Sequence, residues 1–582
     1  MSWNDWGEEA FERAREAGRP VLLFLRASWC RWCRDLETRV LSEPAVRRAL
    51  AERVVPVMVD KDRRPDVDSR YRRAGWPTLA LLDAEGHVLS TGNYMEAEEL
   101  LEQIERAVAR GAAPKPVDGA EPGDGADPTS PAPPSPRAPR ESSLSLALVD
   151  EVRDDLLRTA DPVNGGWGIR HKFPHPEALH FLIVRWTQTG DQETLDVVLR
   201  TLRCMQRGEI HDRVEGGFYR YATQPDWSVP HHEKMLDSNA KRLLSYAEAY
   251  QALGDESFQE TARGILDWMQ ATLLDERTGA FHNSQDADPT YAHLGTREAR
   301  GRHGAPETDP TIFTNYNANA AVALLKASVV LDEDSLRERA LGVLGFLMEQ
   351  MFDPRFGMYH YWDGTYNLPG MLTDQATTLR ALIEAMHYAG DNRYLDRAER
   401  IAQLALEHLR TPDGAFFDTR HDPHAWGELR ERNTSILDNA VMAEALIRLA
   451  HMTRDADLRE QGRRTLEAFL YDYRRYGHHV AAYARAVNLL LLPPLHVTVV
   501  GPRDADRTRE LRRAALEPYV ANRVVQTIDP DQDRELFERT GLPRPAGERV
   551  ARAYVDQGQE SYAETSRPER LPALMARTER SD

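Results

Sequence analysis

The chain has 582 residues, a formal net charge of −19, 41% hydrophobic residues and three cysteines. A single core stops growing near roughly 250–300 residues, so two or three domains are expected. The acidic balance argues against a general nucleic-acid binder, and three cysteines are too few for a disulfide scaffold. No apolar run approaches the roughly 18 residues needed to cross a bilayer.

The opening "MSWNDWGEEAFERARE" is acidic and amphipathic, without the basic and apolar regions of a secretory signal, so a cytoplasmic location is expected. From Val21 to Arg26, "VLLFLR" suits a buried strand, and Cys30 then falls where a helix should begin. "VVPVMVD" is a second strand, and "GWPTLALLDAEGHVLSTG" reads as two strands about a Glu-Gly turn with Pro77 opening the first. The helix "MEAEELLEQIERAVAR" closes a βαβ-ββα order over residues 1–110.

Residues 111–140 are rich in Pro, Ala, Gly and Asp without periodicity and read as a linker. Over 141–494 the pattern is helical, punctuated by turns in which glycine meets an aromatic or histidine, near Gly166, Gly217, Gly279, Gly357, Gly414 and Gly477. Each interval holds two ordinary helices, so six helical hairpins are expected, and closure into an (α/α)6 toroid removes the open ends of a solenoid. Residues 495–582 alternate strand and helix as a small α/β segment, and "VVGP" carries no phosphate-loop pattern. The fold class is multidomain: α/β at the N-terminus, an all-α toroid, then α/β.

Chemistry concentrates in two places. In "ASWCRWCRDL", Cys30 and Cys33 lie one helical turn apart at a helix start, where unpaired N–H groups favour a thiolate: Cys30 would attack and Cys33 resolve. A zinc site would need two further ligands. In "GEIHDRVEGGFYRYATQPDWSVPHHEKMLDSNA" and "HNSQDAD", carboxylates and histidines sit beside aromatics at the turns, which suits a sugar. Asp212, His231, Glu233 and Asp286 are the candidate acid–base groups there, and Arg220, Tyr221, Trp227 and Asp288 the candidate binding groups. His231-His232-Glu233 lacks the spacing of a helical zinc site, so neither metal nor cofactor is expected.

The first segment resembles thioredoxin, with Trp29-Cys30-Arg31-Trp32-Cys33 at the active site and Trp76-Pro77-Thr78 at the cis-proline loop; Trp32 and Pro77 are the residues that would meet a substrate. Phe24 replaces the buried acid of that family, so proton transfer to Cys33 lacks its usual helper. The chain as a whole resembles the spermatogenesis-associated protein 20 family, on "DWGEEAFERARE", "SWCRWC", "DKDRRPDVDSRY", "GWPT", "KFPHP", "GGFYRY", "DWSVPHHEKML" and "SQDAD". That resemblance implies a thioredoxin-like domain before a toroid similar to N-acylglucosamine 2-epimerases and six-hairpin glycosidases. Arg31, Arg34, Arg213, Tyr219 and Asp237-Ser238-Asn239 depart from the family pattern, and Asp556 stands where it has a cysteine.

Three functions compete. The leading one is an enzyme acting on a carbohydrate-like small molecule in the toroid, of hydrolase or epimerase type, with the thiol pair as accessory. The others are a thiol-disulfide oxidoreductase acting on client proteins, and a non-catalytic scaffold.

Overall fold

The computed structural model describes residues 3–110, 143–545, 551–557 and 562–579; the expected linker lies outside them. The chain divides into two compact units, the N-terminal part together with Asp418–Asn433, and the remainder.

The first unit is built on β1 (Val21–Arg26), β2 (Val55–Asp60), β3 (Thr78–Leu82) and β4 (Val88–Gly92), in the order β2-β1-β3-β4. β1 and β2 are parallel, and β3 runs against both β1 and β4. β1 and β3 are buried along almost their whole length, as their uninterrupted apolar runs require of central strands flanked by helices. Asp418–Asn433 closes this unit. Trp426 stacks on Phe11 at 5.2 Å, and Arg70 pairs with Asp418 at 2.9 Å while donating to the carbonyl of Glu431. Gly427 (φ 55°) passes so close to Gly86 that a Cβ on it would lie 2.1 Å from the Tyr71 hydroxyl, so only glycine fits.

The second unit is the toroid. Its inner helices are Pro176–Thr189, Leu236–Leu253, Thr314–Val330, Leu372–Ala389, Ile436–Thr453 and Ala481–Leu491. Each packs on the next, and the last returns to the first, so the ring is closed. The outer helices are Leu146–Thr159, Gln192–Arg207, Glu256–Trp268, Asp334–Gln350, Arg393–His408 and Ala456–Glu467. They bury one stripe each, as with Val197, Val198, Thr201, Leu202 and Met205, whereas the inner helices are buried nearly all round. Inner helices end on left-handed glycines, Gly190, Gly254 and Gly390, and in the first two cases the next aspartate, Asp191 or Asp255, caps the outer helix at once. Those connections are short, which puts the long glycine-aromatic loops together at the opposite mouth.

One device recurs in these loops. A carboxylate (Asp161, Asp212, Asp275 or Asp353) accepts backbone N–H groups two or three residues on and shapes the turn. A side-chain amide from the next inner helix then accepts from the N–H and donates to the C=O of one turn residue: Asn239 on Phe218, Asn317 on Phe281, Gln375 on Met358, Asn439 on Phe416. Each bond adds about 0.5–1.5 kcal/mol net, but leaving the buried partners unmade costs more, so the amides fix the loops to the ring.

The C-terminal segment covers the short-loop end. Its strands are Leu495–Val500, Arg523–Ile528, Arg552–Asp556 and Ala563–Thr565. The first pairs parallel with the second and antiparallel with the third, which pairs antiparallel with the fourth. Strand order and directions therefore repeat those of the N-terminal sheet. Sequence pattern alone suggests a simple βαβαβ, because alternation does not reveal that the third strand reverses. Among the described residues, no helix is long and apolar enough to cross a membrane.

Candidate functional site

In the first unit, Cys30 caps the helix Arg31–Asp35, and its sulfur accepts the N–H of Cys33 at 3.2 Å. Both cysteines are buried, Cys30 5% exposed and Cys33 fully enclosed. Burial pushes the Cys33 thiol up, and the Cys30 sulfur beside it adds to the effect, as expected of a resolving thiol that stays protonated until attack. The Trp76–Pro77 bond is cis. Trp29 Nε1 donates to Asp62 at 2.7 Å, and Trp76 Nε1 to Asp68 at 2.7 Å, which fixes the two indoles beside the pair. Trp32 is 54% exposed, with Tyr94 against its edge.

Phe24 is buried in β1, as its place in an apolar run requires, and supplies no proton. A partly buried carboxyl follows the pair in the sequence. Glu37 lies one turn beyond Cys33 in a continuous helical run, paired with Arg26 at 2.9 Å, and burial raises its pKa against the pull of Arg26 and Arg34. The signal was the i, i+4 spacing of Cys33 and Glu37.

In the second unit, the sequence-derived residues separate into structural and open groups. Asp212 is buried between Lys234 (2.5 Å) and Arg300 (2.7 Å). Burial would raise its carboxyl, but these two cations hold it at about 2. It is one of the repeating turn aspartates, so it does not serve as a proton donor near neutrality. Trp227 is also structural: its ring is fully buried and its Nε1 donates to the carbonyl of Asn164 at 2.8 Å, leaving no face for a ligand. Asp288 caps a short helix through the N–H of Tyr291 and pairs with His303 at 2.9 Å. Asp286 follows a strand pairing and donates its N–H to the Glu307 carbonyl at 2.8 Å.

His231, Glu233, Tyr221 and Arg220 do come together. His231 stacks on Tyr221 at 4.4 Å, with its Nδ1 3.9 Å from a Glu233 oxygen, an ion-pair distance. Burial pushes the Glu233 carboxyl up, and His231 and Arg220 more than offset it, so it is ionised. The Arg220 guanidinium lies over the Tyr221 ring at 5.2 Å.

A second group, absent from the sequence reading, lines the toroid axis. Arg485 pairs with Glu177 at 3.3 Å and Glu444 at 2.9 Å; Glu444 also holds Arg448 at 3.0 Å. Arg380 donates to Asn319, which donates to Asp237. Arg485 also donates to His180 Nδ1 at 3.3 Å, so that nitrogen carries no proton and the ring is neutral, with Nε2 facing Ser245 at 2.9 Å. Burial lowers His180 in the same direction. A cavity of about 100 Å³ lies among Arg380, Glu384, His387, Glu444 and Arg448 and is floored by Tyr519 of the C-terminal segment.

These features define a class: a thioredoxin-like domain with a CxxC pair, followed by a closed six-hairpin toroid with a charged axis. Residues 1–108 match the family model described as Thioredox_DsbH, a protein of unknown function, DUF255. The chain is similar to spermatogenesis-associated protein 20 of Homo sapiens, 32% identical over 308 residues, which are 50% of this chain and 39% of that protein. The match therefore spans about two-fifths of that relative's length. It is also similar to the disulfide bond reductase DsbH of Chlamydia pneumoniae, 26% identical over 102 residues, 16% of this chain and 61% of that one. Among solved structures it is similar to a sugar epimerase from a ruminal bacterium, with 14% identity and a TM-score of 0.47, over 59% of this chain and 99% of that one.

Proposed function

We propose that the toroid binds a carbohydrate-like small molecule at its axis and performs proton-transfer or hydrolytic chemistry on it, with Cys30 and Cys33 as an accessory redox pair. One observation carries the reading. Charged side chains from all six inner helices converge on the axis, and among the described residues Glu177 Oε2, which faces Arg485 at 3.3 Å without a hydrogen bond to it, Arg380 Nε and His387 Nε2 have no hydrogen-bond partner. Buried polar atoms are rarely left unsatisfied, and a hydroxyl-rich ligand supplies both the donors and the acceptors these three require. Glu177 is a fitting base: burial favours its neutral form, while Arg485, with Lys241 and Arg380, keeps it ionised. At the mouth, Glu233 with His231 is the second acid–base candidate, and Asp286 stands beside that loop. The small cavity favours one sugar unit over the larger ligands that fill pockets of about 300 Å³ and more. A cytoplasmic location belongs to this reading, since three cysteines, too few for a disulfide scaffold, suit a reducing compartment.

The test is a panel of aldoses, N-acyl hexosamines and glycosides incubated with the full chain in D2O and followed by NMR. Epimerisation exchanges the C2 proton for deuterium, and hydrolysis releases a new reducing end. Glu177→Gln is expected to abolish the change while Cys30→Ser preserves it. A wild-type chain that binds and turns over no member of the panel refutes the reading.

Exposed Trp32 beside the capped Cys30 supports a second reading, a thiol-disulfide oxidoreductase that docks a client protein on the indole. Cys33→Ser in cell extract is expected to accumulate a client disulfide-linked to Cys30; a chain recovered with Cys30 still reduced counts against it.

A further inference from the structure

His175, His478 and His479 come together in the toroid, each offering one ring nitrogen, and the three nitrogens lie within 4.8 Å of one another. The geometry points to a transition-metal site, and we propose that these three imidazoles bind a zinc-class dication, leaving the fourth position for water or a ligand oxygen.

The placement is specific. His175 is the N-cap residue of the inner helix Pro176–Thr189, and His478 and His479 follow Gly477, whose φ of 51° turns the chain just before the last inner helix. The first and last inner helices are neighbours in the closed ring, so closure alone brings together residues far apart in sequence. The His175 ring lies 4.0 Å from that of His478 and 5.7 Å from that of His479, and His478 and His479 are 4.4 Å apart. Zn–N bonds of about 2.0–2.1 Å place tetrahedral ligand nitrogens roughly 3.3 Å apart, so side-chain rotations that draw the nitrogens inward by about an ångström complete the site.

The electrostatics suit a cation. The three rings are half-buried. Lys172, the nearest fixed cation acting on His175, spends its charge on Asp161 at 2.8 Å and the Gly165 carbonyl. A groove of about 650 Å³ opens beside Gly477 and Val480, the residues flanking the histidine pair, and it carries four carboxylates (Asp150, Glu151, Asp154 and Asp155) against two arginines. Its net negative lining concentrates cations beside the histidine pair. Three histidines with an open position are the arrangement of catalytic rather than structural zinc. The site also adjoins the mouth: His175 packs near Phe173, Phe173 stacks on Tyr221 at 4.5 Å, and Tyr221 stacks on His231.

The test uses the untagged full chain, stripped with chelator and titrated calorimetrically with Zn2+. Because thiol pairs can take up added zinc, the decisive protein is Cys30→Ser/Cys33→Ser. One Zn2+ per chain is expected to remain there. His175→Ala in that background is expected to weaken it by more than about a hundredfold, beyond the roughly 10–100-fold that loss of an outer partner costs. His478→Gln, in the half-buried turn before the last inner helix, is expected to give the same loss, and an unchanged thermal transition shows both variants folded. Co2+ in the double-cysteine variant is expected to show visible tetrahedral bands that vanish with His478→Gln. A double-cysteine variant that binds no Zn2+, or zinc affinity unmoved by either histidine replacement, overturns the proposal.

Discussion

Replacing Asp212 by asparagine keeps the shape of the side chain and removes one charge, leaving Lys234 and Arg300 facing a neutral amide in a buried site. Two routes give the size of the effect. The Asp212 carboxyl is held at about 2 against an ordinary 3.8, a difference worth roughly 2–3 kcal/mol at neutral pH. Breaking a buried pair and leaving its partner uncompensated costs about 3–5 kcal/mol. Asp212→Asn is therefore expected to lose about 3 kcal/mol in urea unfolding at pH 7, followed by the far-ultraviolet dichroism that the toroid helices dominate. The sign with pH is fixed. A depressed carboxyl stabilises fully above its unfolded pKa near 3.8 and loses that contribution as pH falls through about 2, so the gap between wild type and variant should narrow from pH 4 downward. A loss under about 1 kcal/mol at pH 7, or one that stays constant down to pH 2, would refute the structural role and return Asp212 to the catalytic candidates.

Two further outcomes follow from the first unit. Arg70→Ala leaves Asp418 and the Glu431 carbonyl without their donor. Since charged hydrogen bonds are worth about 1.5–3 kcal/mol, proteolytic cleavage within Asp418–Asn433 should accelerate at least about tenfold, and unchanged cleavage kinetics would refute the clasp. Iodoacetamide at pH 7 should modify Cys30 before Cys33, because burial and the neighbouring sulfur raise the Cys33 thiol; peptide mass spectrometry showing the reverse order would exclude Cys30 as the attacking thiol.

The toroid was legible because each glycine-aromatic turn marks one passage from outer to inner helix, and the thioredoxin-like order because its strands are short and continuously apolar. The axis was not. Glu444 and Arg448 in "EALIR", or Arg380 and Glu384 in "RALIE", have the i, i+4 spacing of an ordinary solvated helix face, and only ring closure turns that face inward. The bracing at Asp212 and Trp227 is hidden for a related reason: an aspartate or indole beside glycine looks the same whether it faces a ligand or braces the turn, and the Arg300 that pairs with Asp212 comes from a loop far along the chain. Glu37 was within reach of helical spacing. The histidine trio was not, since His175 meets His478 only through the junction of first and last inner helices.

The segment Asp418–Asn433 makes the N-terminal unit a composite of two stretches that translation delivers at very different times. Until the later stretch emerges, Phe11 and Arg15 lack the Trp426 ring that covers them, and Arg70 has no carboxylate to answer it. Residues 1–108, the span a thioredoxin-type family model recognises, are thus an unfinished module in this chain. A transplant of that module into another relative carries its fold intact only if the downstream segment travels with it.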